Sequence, residues 1–510
     1  MDSLNDFFKT SFKTNILDWE KSLLSELKIS EVGNKGKKLT LNGLTLPTLS
    51  LERDEEVQLS SKEDWKKAST SYASMPEENI EALLLDDLKN GVRNFFFFDG
   101  ALSDKKWGLI EKTLKTHPTP SEIEVFLLGM KNYKSDSFKV VKNLISGKEF
   151  HDLGGSSIHE LALISKKIIE TDEDEIFIGV YVDSLFFHNI AKLRACRLML
   201  LKILEDSGRK SKLKIVALTS FENWTLYDRY TNILRNETAV ASAYMGGADH
   251  VQSCGHNILL ELESGEDLFD EHFERSQRMG RNTTHILALE SLLGVVQDPS
   301  YGSYHLENLT QTLCEKSWTL MQRLLLNEDI SQEISEVREK KLLMIKTRKL
   351  IVSGVNDFPD PKETLNISLK SSPFFRYPRI FEELRLRMEK FRKPKVFISV
   401  FGDYGALNLR LSFVKNYFEL LGLEVQDTNR SEKDLDSFRK NLSERMEEIT
   451  VLCALDEDYL KLMPHSLTVN SPHKFIAGKF EVSGYKNLYA GQNVYEVLSE
   501  LVEALERGRV

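Results

Sequence analysis

Residues 176–218 read IFIGVYV-DSLFFHNIAKLRACRLMLLKILEDSGRKSK-LKIVAL, two short apolar runs on either side of a helix-length segment. The runs Ile176–Val182 and Leu213–Leu218 are nearly continuous in apolar residues, as strands buried on both faces are. Between them, after Asp183-Ser184, Ile190, Leu193, Arg197 and Leu201 share one helical face. Strand, helix and strand with both strands buried predict a parallel βαβ unit.

The alternation continues outward. Asn94–Phe98, Ile123–Leu128, Phe138–Ile145 and His250–Ser253 read as further strands, most of them followed by helix-length segments, and 267–350 is helix-rich. Six or more such units predict an α/β fold, either a (β/α) barrel or a doubly wound sheet. Upstream, Phe7, Phe8, Phe12, Ile16, Leu17, Trp19, Leu23, Leu24 and Leu27 fall at helical spacing, so 5–28 reads as an amphipathic arm. Turn-rich 29–50 and polar 51–75 read as a loosely packed connection. The barrel region is expected over 76–350. Pro359, Pro361, Pro373 and Pro378 mark a wrapping linker over 351–393. Over 394–510, Lys395–Phe401, Leu407–Leu420, Glu424–Val425, Leu435–Met446, Thr450–Leu455 and Val494–Glu506 repeat β-α-β-α, which predicts a flavodoxin-like domain.

Composition removes several function classes. The 510 residues carry 68 Lys and Arg against 78 Asp and Glu, a net charge of −10, which argues against nucleic acid or an anionic membrane as partner. Cys196, Cys254, Cys314 and Cys453 are far apart and form no Cys-x-x-Cys pair, so neither a disulfide framework nor a zinc ribbon is expected. The acidic start and the lack of an apolar run of about 20 residues predict a cytoplasmic chain without a membrane span.

No phosphate-binding loop of the common types occurs. Gly154-Gly155-Ser156-Ser157 precedes a helix and is read as a tight turn with a serine N-cap. Ser156 and Ser157 are still the best anion-binding candidates. His250 and His256 flank the Cys254 strand without metal-ligand spacing, and Cys254 and Cys453 read as inert core residues. On periodicity alone, 186–197 is an ordinary barrel helix with a solvated basic side.

That helix also carries a family pattern. Phe186-Phe187…Ile190-Ala191-Lys192-Leu193-Arg194-Ala195…Arg197 resembles a hallmark of the adenosylcobalamin-dependent acyl-CoA mutases, above all the methylmalonyl-CoA mutase family. Matching blocks follow in order: Thr219-Ser220 with Asn223-Trp224-Thr225-Leu226, then Asn232-Ile233-Leu234-Arg235 and Gly246-Gly247-Ala248-Asp249. Arg281-Asn282-Thr283 and Asp298-Pro299…Gly302-Ser303-Tyr304…Glu307…Leu309-Thr310 complete the series, and Leu153-Gly154-Gly155 with Glu160-Leu161-Ala162 precedes it. The resemblance implies a TIM barrel followed by a flavodoxin-like, cobalamin-binding type of domain. Too few residues separate 123–128 from 138–145 for a complete extra β/α unit, so a trimmed or irregular barrel is expected.

The resemblance also shows what is missing. The family's Asp-x-His-x-x-Gly, whose histidine ligates cobalt, aligns with Gly405, Leu407 and Arg410; a leucine has no lone pair for a metal. The tunnel-lining Ser-x-Leu appears as Cys453-Ala454-Leu455, and the later Gly-Gly as Ala490-Gly491. The family's substrate-carbonyl histidine aligns with Glu149, while His151, two residues on, is expected to point the same way along a strand. These degenerate positions resemble the non-catalytic small (beta) subunits, and they imply a heterodimer in which a large subunit holds both adenosylcobalamin and acyl-CoA. No catalytic, cofactor-binding or metal-ligating residue is assigned to this chain. Two other readings stay open: a self-sufficient acyl-CoA mutase that binds cobalamin without an axial histidine, and a barrel acting as scaffold or regulator.

Overall fold

The computed structural model describes residues 68–73, 75–98, 102–128, 133–264, 271–296, 298–365, 367–370, 374–390, 393–427, 434–444, 446–462, 469–480 and 482–507, together with an antiparallel strand pair, Lys37–Leu39 with Thr45–Pro47. The arm expected over 5–28 lies outside the described residues. Two four-stranded parallel sheets run in chain order. The first holds β1 (Ala68–Tyr72), β2 (Val92–Phe98), β3 (Glu124–Leu128) and β4 (Lys139–Val141). The second holds β5 (Leu144–Ser146), β6 (Glu175–Val182), β7 (Lys212–Thr219) and β8 (His250–Val251).

Only Lys142 and Asn143 separate β4 from β5. The first half of this extended segment pairs with β3 (Val140 opposite Val125), and the second half pairs with β6 (Ile145 opposite Ile178). The single strand expected at 138–145 is therefore two short strands, each serving a different neighbour. They link the sheets into a run of seven extended segments, an α/β arrangement compatible with a TIM-like barrel.

The ends of that run meet through side chains. Ser69 Oγ of β1 donates to the Val251 carbonyl at 2.6 Å, and Ser71 Oγ donates to the Ser253 carbonyl at 2.8 Å. This corrects the sequence reading of 51–75 as loose connection, because its last residues form a fully buried strand paired with β2. Ser69 and Ser71 can be buried here because their hydroxyls satisfy carbonyls that a two-residue β8 leaves without a ladder, while Thr70 Oγ1 reaches Gln277 Oε1 at 3.5 Å.

Strand periodicity sorts the remaining residues. Ile176, Ile178, Val180 and Val182 of β6 face outward into the main hydrophobic core. Alternate positions fill the bore, where Phe96, Phe126, Val141, Phe177, Val216 and Leu218 form one cluster. Phe96 stacks on Phe126 with ring centroids 4.5 Å apart, and Phe177 meets Phe126 edge-on at 6.1 Å. At Gly179 a Cβ would come within 2.9 Å of Leu218 and 3.0 Å of Leu144, so the bore has no room for a side chain there.

Helices α1 (Ile80–Lys89), α2 (Asp104–Lys115), α3 (Lys148–Asp152), α4 (Ser157–Ile169), α5 (Phe186–Asp206) and α6 (Thr231–Met245) connect the strands. After β8 come α7 (Ile258–Ser264), α8 (Glu271–His285), α9 (Tyr304–Leu325) and α10 (Ser331–Lys346). The stretch expected as linker then contains α11 (Arg379–Glu389). It also packs: Val352, Val355, Phe375, Tyr377 and Phe381 join the hydrophobic cluster of the C-terminal sheet. Arg376 ties this stretch to the eight-stranded unit, pairing with Glu263 at 2.9 Å and Glu382 at 2.7 Å, all three side chains fully buried.

The C-terminal sheet is entirely parallel. It contains β9 (Val396–Phe401), β10 (Val425–Asp427), β11 (Ile449–Ala454), β12 (His473–Ala477) and β13 (Lys486–Leu488) in the order β10-β9-β11-β12-β13. Its helices are α12 (Asn408–Glu419), α13 (Leu435–Ser443), α14 (Asp456–Leu462) and α15 (Val494–Arg507). No helix among the described residues is long and apolar enough to cross a membrane.

The seam makes a testable claim. Replacing both Ser69 and Ser71 by alanine leaves two buried carbonyls without donors, so urea unfolding should show a loss of about 1–3 kcal/mol per site. A loss below about 0.5 kcal/mol for the double variant would mean that the hydroxyls do not hold the seam.

Candidate functional site

The C-terminal ends of parallel strands are where α/β folds present their sites. Here the strand ends of the eight-stranded unit enclose a cavity of about 240 Å³. Phe98, Leu128, Leu218 and Phe221 supply apolar wall, His151, Tyr181 and Gln252 supply polar groups, and Phe374 and Phe375 cover it. The packed aromatic bore lies beneath, so the cavity is blind and cannot pass an extended molecule.

His151 lies flat on Tyr181, with centroids 4.1 Å apart and planes 3° apart, and its Nε2 is 3.2 Å from Ser220 Oγ. Burial, together with Lys192, Lys341 and Lys148 nearby, holds its pKa well below the ordinary histidine value, so the ring is neutral. Lys148 pairs with Asp152 at the rim. Glu149 does not join them. The segment 148–152 is helix α3 and not the strand expected, so positions two apart diverge. Glu149 turns to Lys167, with contacts of 2.7 and 2.8 Å. Burial would raise its pKa, but the hydrogen bonds from Lys167 and the backbone, with the charges of Lys167 and Lys148, together outweigh that and keep the carboxylate ionised.

The Gly-Gly-Ser-Ser turn serves structure. Gly154 has φ +88°, and Phe375 would meet a Cβ there at 3.0 Å. Ser156 and His159 form a reciprocal capping box on α4, and Ser157 Oγ lies 2.9 Å from His188 Nε2. Lys341, from α10, donates to the Gly155 carbonyl at 3.0 Å and pairs with Glu222 at 2.6 Å. No sequence signal marks Lys341, which looks like any other basic position on a charged helix.

The α5 motif departs from the reading of a solvated basic side. Lys192, Arg194 and Arg197 are all buried. Lys192 pairs with Glu160 at 2.7 Å. Arg194 reaches Asp298 at 3.1 Å, Glu307 at 2.9 Å and Thr310 at 3.1 Å. Arg197 donates to Asp249 at 2.6 Å and to the Gly247 carbonyl at 2.9 Å. Arg235 donates to Thr225 and Asn232, each at 2.8 Å. Most of the sequence blocks that carried the family resemblance are therefore one another's hydrogen-bonding partners and fix how the helices seat, whereas Arg281 pairs with Asp86 and Asp87 of α1.

His250 sits in the bore against Phe126 and Phe177, with Glu124 3.5 Å away, while His256 stacks near Tyr230. No His, Cys, Asp and Glu group able to hold a metal occurs among the described residues. Burial pushes the thiols of Cys196, Cys254, Cys314 and Cys453 up to about 12, which leaves them protonated and poor nucleophiles.

The second strand-end crevice lies between β9 and β11, where the strand order of the C-terminal sheet reverses. Leu407 is fully buried, in one apolar cluster with Val400, Tyr417 and Phe418, at the start of α12. Arg410 reaches across to β11, donating to the Ala454 carbonyl and, at 2.8 Å, to Asp456. Its guanidinium stands 5.9 Å from the Tyr459 ring, which packs on Phe480 at 4.7 Å. Gly402, at φ +102°, ends β9 where a Cβ would collide with the Asp458 carboxylate. The Gly405 N–H donates to Asp403 Oδ1 at 3.1 Å, Cys453 is buried in β11, and Gly491 has open space around it. These residues do not fit a corrin with a lower axial ligand: the aligned position is hydrocarbon inside the core, and a charged side chain spans the crevice.

Two measurements test this assignment. His159 and His188 are both lowered to about 4, chiefly by burial. The unfolded chain therefore binds more protons between about pH 4 and 6.5, and stability should fall as pH drops through that window. Urea midpoints from pH 7 to 4 should show this slope, and His159→Gln or His188→Gln should flatten it; an unchanged slope would contradict buried neutral rings. Arg194→Ala leaves buried Glu307 without its cation and should cost about 3–5 kcal/mol in the same assay.

Residues 130–380 match the family model described as methylmalonyl-CoA mutase. The chain is 27% identical over 333 residues to a methylmalonyl-CoA mutase small subunit of Porphyromonas gingivalis, covering 59% of this chain and 51% of that one. A probable small subunit of Mycobacterium tuberculosis is 27% identical over 344 residues, covering 62% and 55%. The small subunit of Propionibacterium freudenreichii subsp. shermanii is 24% identical over 443 residues, covering 76% and 67%. The matches to the first two span little more than half the length of those relatives. Through the blocks around α5 and the match over 130–380, the chain is similar to the methylmalonyl-CoA mutase family and, within it, to proteins named as small subunits.

Proposed function

We propose that this chain is the non-catalytic small subunit of a heterodimeric, cytoplasmic, adenosylcobalamin-dependent methylmalonyl-CoA mutase. In this reading a trimmed TIM barrel is followed by a flavodoxin-like domain over 394–510, whose all-parallel strand order places the second strand outside the first. The large subunit holds the cofactor and interconverts (R)-methylmalonyl-CoA and succinyl-CoA; this chain supplies a supporting surface. The observation that carries the proposal is Leu407, buried where the family's cobalt ligand aligns, with Arg410 tied across the neighbouring crevice to Ala454 and Asp456. The blind cavity at the other strand ends supports it, because the filled bore leaves no passage for a long thioester.

Adenosylcobalamin titrated into the isolated chain should give no saturable change in visible absorbance. Mixed with the large subunit of the same organism, the chain should elute as a one-to-one complex, and only samples that contain the large subunit should interconvert the two thioesters. A stoichiometric corrinoid spectrum from this chain alone, with unaided turnover, would overturn the proposal.

A further inference from the structure

One buried amide in the cavity at the strand ends has no partner. Gln252, directly after β8, is 1% exposed and lines that cavity. Its Oε1 accepts from the Thr219 N–H at 2.8 Å, which fixes the side chain, while its Nε2 donates to no protein group. A buried amide N–H without an acceptor is a standing cost to the fold, and a bound acceptor would remove it.

The rest of the lining sets the chemistry of the acceptor. Phe98, Phe221 and Phe374 form one aromatic wall, with the Phe221 ring centroid 5.8 Å from that of Phe98 and 5.4 Å from that of Phe374. The stacked His151 and Tyr181 rings offer a second flat surface. Among the described residues, the only charged side chains that line the cavity are Lys148 and Asp152, and they pair with each other. An ionised ligand would therefore lie in apolar surroundings without a counter-charge, which costs more than one satisfied amide returns. The volume is about 240 Å³. It exceeds the roughly 150 Å³ in which an apolar cavity holds benzene and falls short of the roughly 300 Å³ at which drug-sized sites begin. An uncharged ring with a short carbonyl-bearing substituent matches the wall, the charge and the size.

We propose that this cavity binds a small uncharged aromatic carbonyl compound, its ring against the phenylalanine wall and its carbonyl oxygen accepting from Gln252 Nε2. The site needs no group outside this chain, so it stands apart from the subunit reading above. Leu218 of β7, Gln252 and the covering Phe374 and Phe375 all line the cavity. An occupant thus adds contacts that exist in the folded state alone, and it should raise the unfolding temperature.

Three probes of similar size separate the contributions: acetophenone; α-methylstyrene, in which a methylene replaces the carbonyl oxygen; and benzoate. Calorimetry and thermal unfolding of the full chain should show saturable, stabilising binding of acetophenone. The other two should each bind at least about tenfold more weakly, because one leaves the amide unpaired and the other buries a charge. Gln252→Leu should abolish the preference for acetophenone over α-methylstyrene. That change also takes the acceptor from the Thr219 N–H, so a second variant accompanies it. Leu128→Trp fills the cavity from its half-buried rim and should eliminate binding of both ring compounds, with the free chain unfolding within a few degrees of wild type. Equal affinity of the wild type for acetophenone and α-methylstyrene, or tighter binding of benzoate, would overturn the proposal. So would acetophenone binding that survives Leu128→Trp, or no saturable binding of any probe, which would leave an ordered water as the partner of the amide.

Discussion

Two serine hydroxyls close the circuit of the eight-stranded unit. β8 is only two residues long, too short for a backbone ladder to β1, so Ser69 and Ser71 carry the donors that join the first strand to the last. With the seam held, the inward positions of β2, β3, β6 and β7 converge, and three phenylalanine rings fill the space they enclose. The blind mouth, the neutral His151 inside it and the capping linker all follow from a bore that is packed and not open.

Charge buried around that core serves geometry more than stability. Bringing Arg194, Glu307 and Asp298 out of water costs about as much as their mutual attraction returns. What the cluster adds is selectivity: α9 can seat on α5 in only one register if Arg194 is to meet both acids. The same holds where Arg376 joins the linker to α7 through Glu263. The family's sequence blocks thus serve to seat the helices of this chain.

At the C-terminal strand ends, residues that align with a cofactor motif serve the packing of the fold. Leu407 replaces nothing the C-terminal core requires; it adds to it, packing with Tyr417 and Phe418. Arg410 bridges α12 to the end of β11, tying the sheet across the point where its strand order reverses.

Much of this was legible from residue order. Apolar runs marked β2, β3, β6, β7, β9 and β11 because strands buried on both faces must be hydrophobic, and α5 followed from its period. The leucine at 407 could be read directly, since a hydrocarbon cannot ligate whatever its surroundings. Other features depended on contacts between distant positions. β1 looked like linker because its polarity is matched by carbonyls more than 180 residues away; β13, three residues long, has no period to detect. Lys192, Arg194 and Arg197 looked solvated because their acids lie at 160, 249, 298 and 307. Glu149 and His151 parted company because a single helical turn replaced the strand expected there. The sequence alone determined which segments are buried and which chemistry is missing; only tertiary structure decided which charges are paired and which apolar side chains remain exposed, because both depend on what the chain brings alongside them.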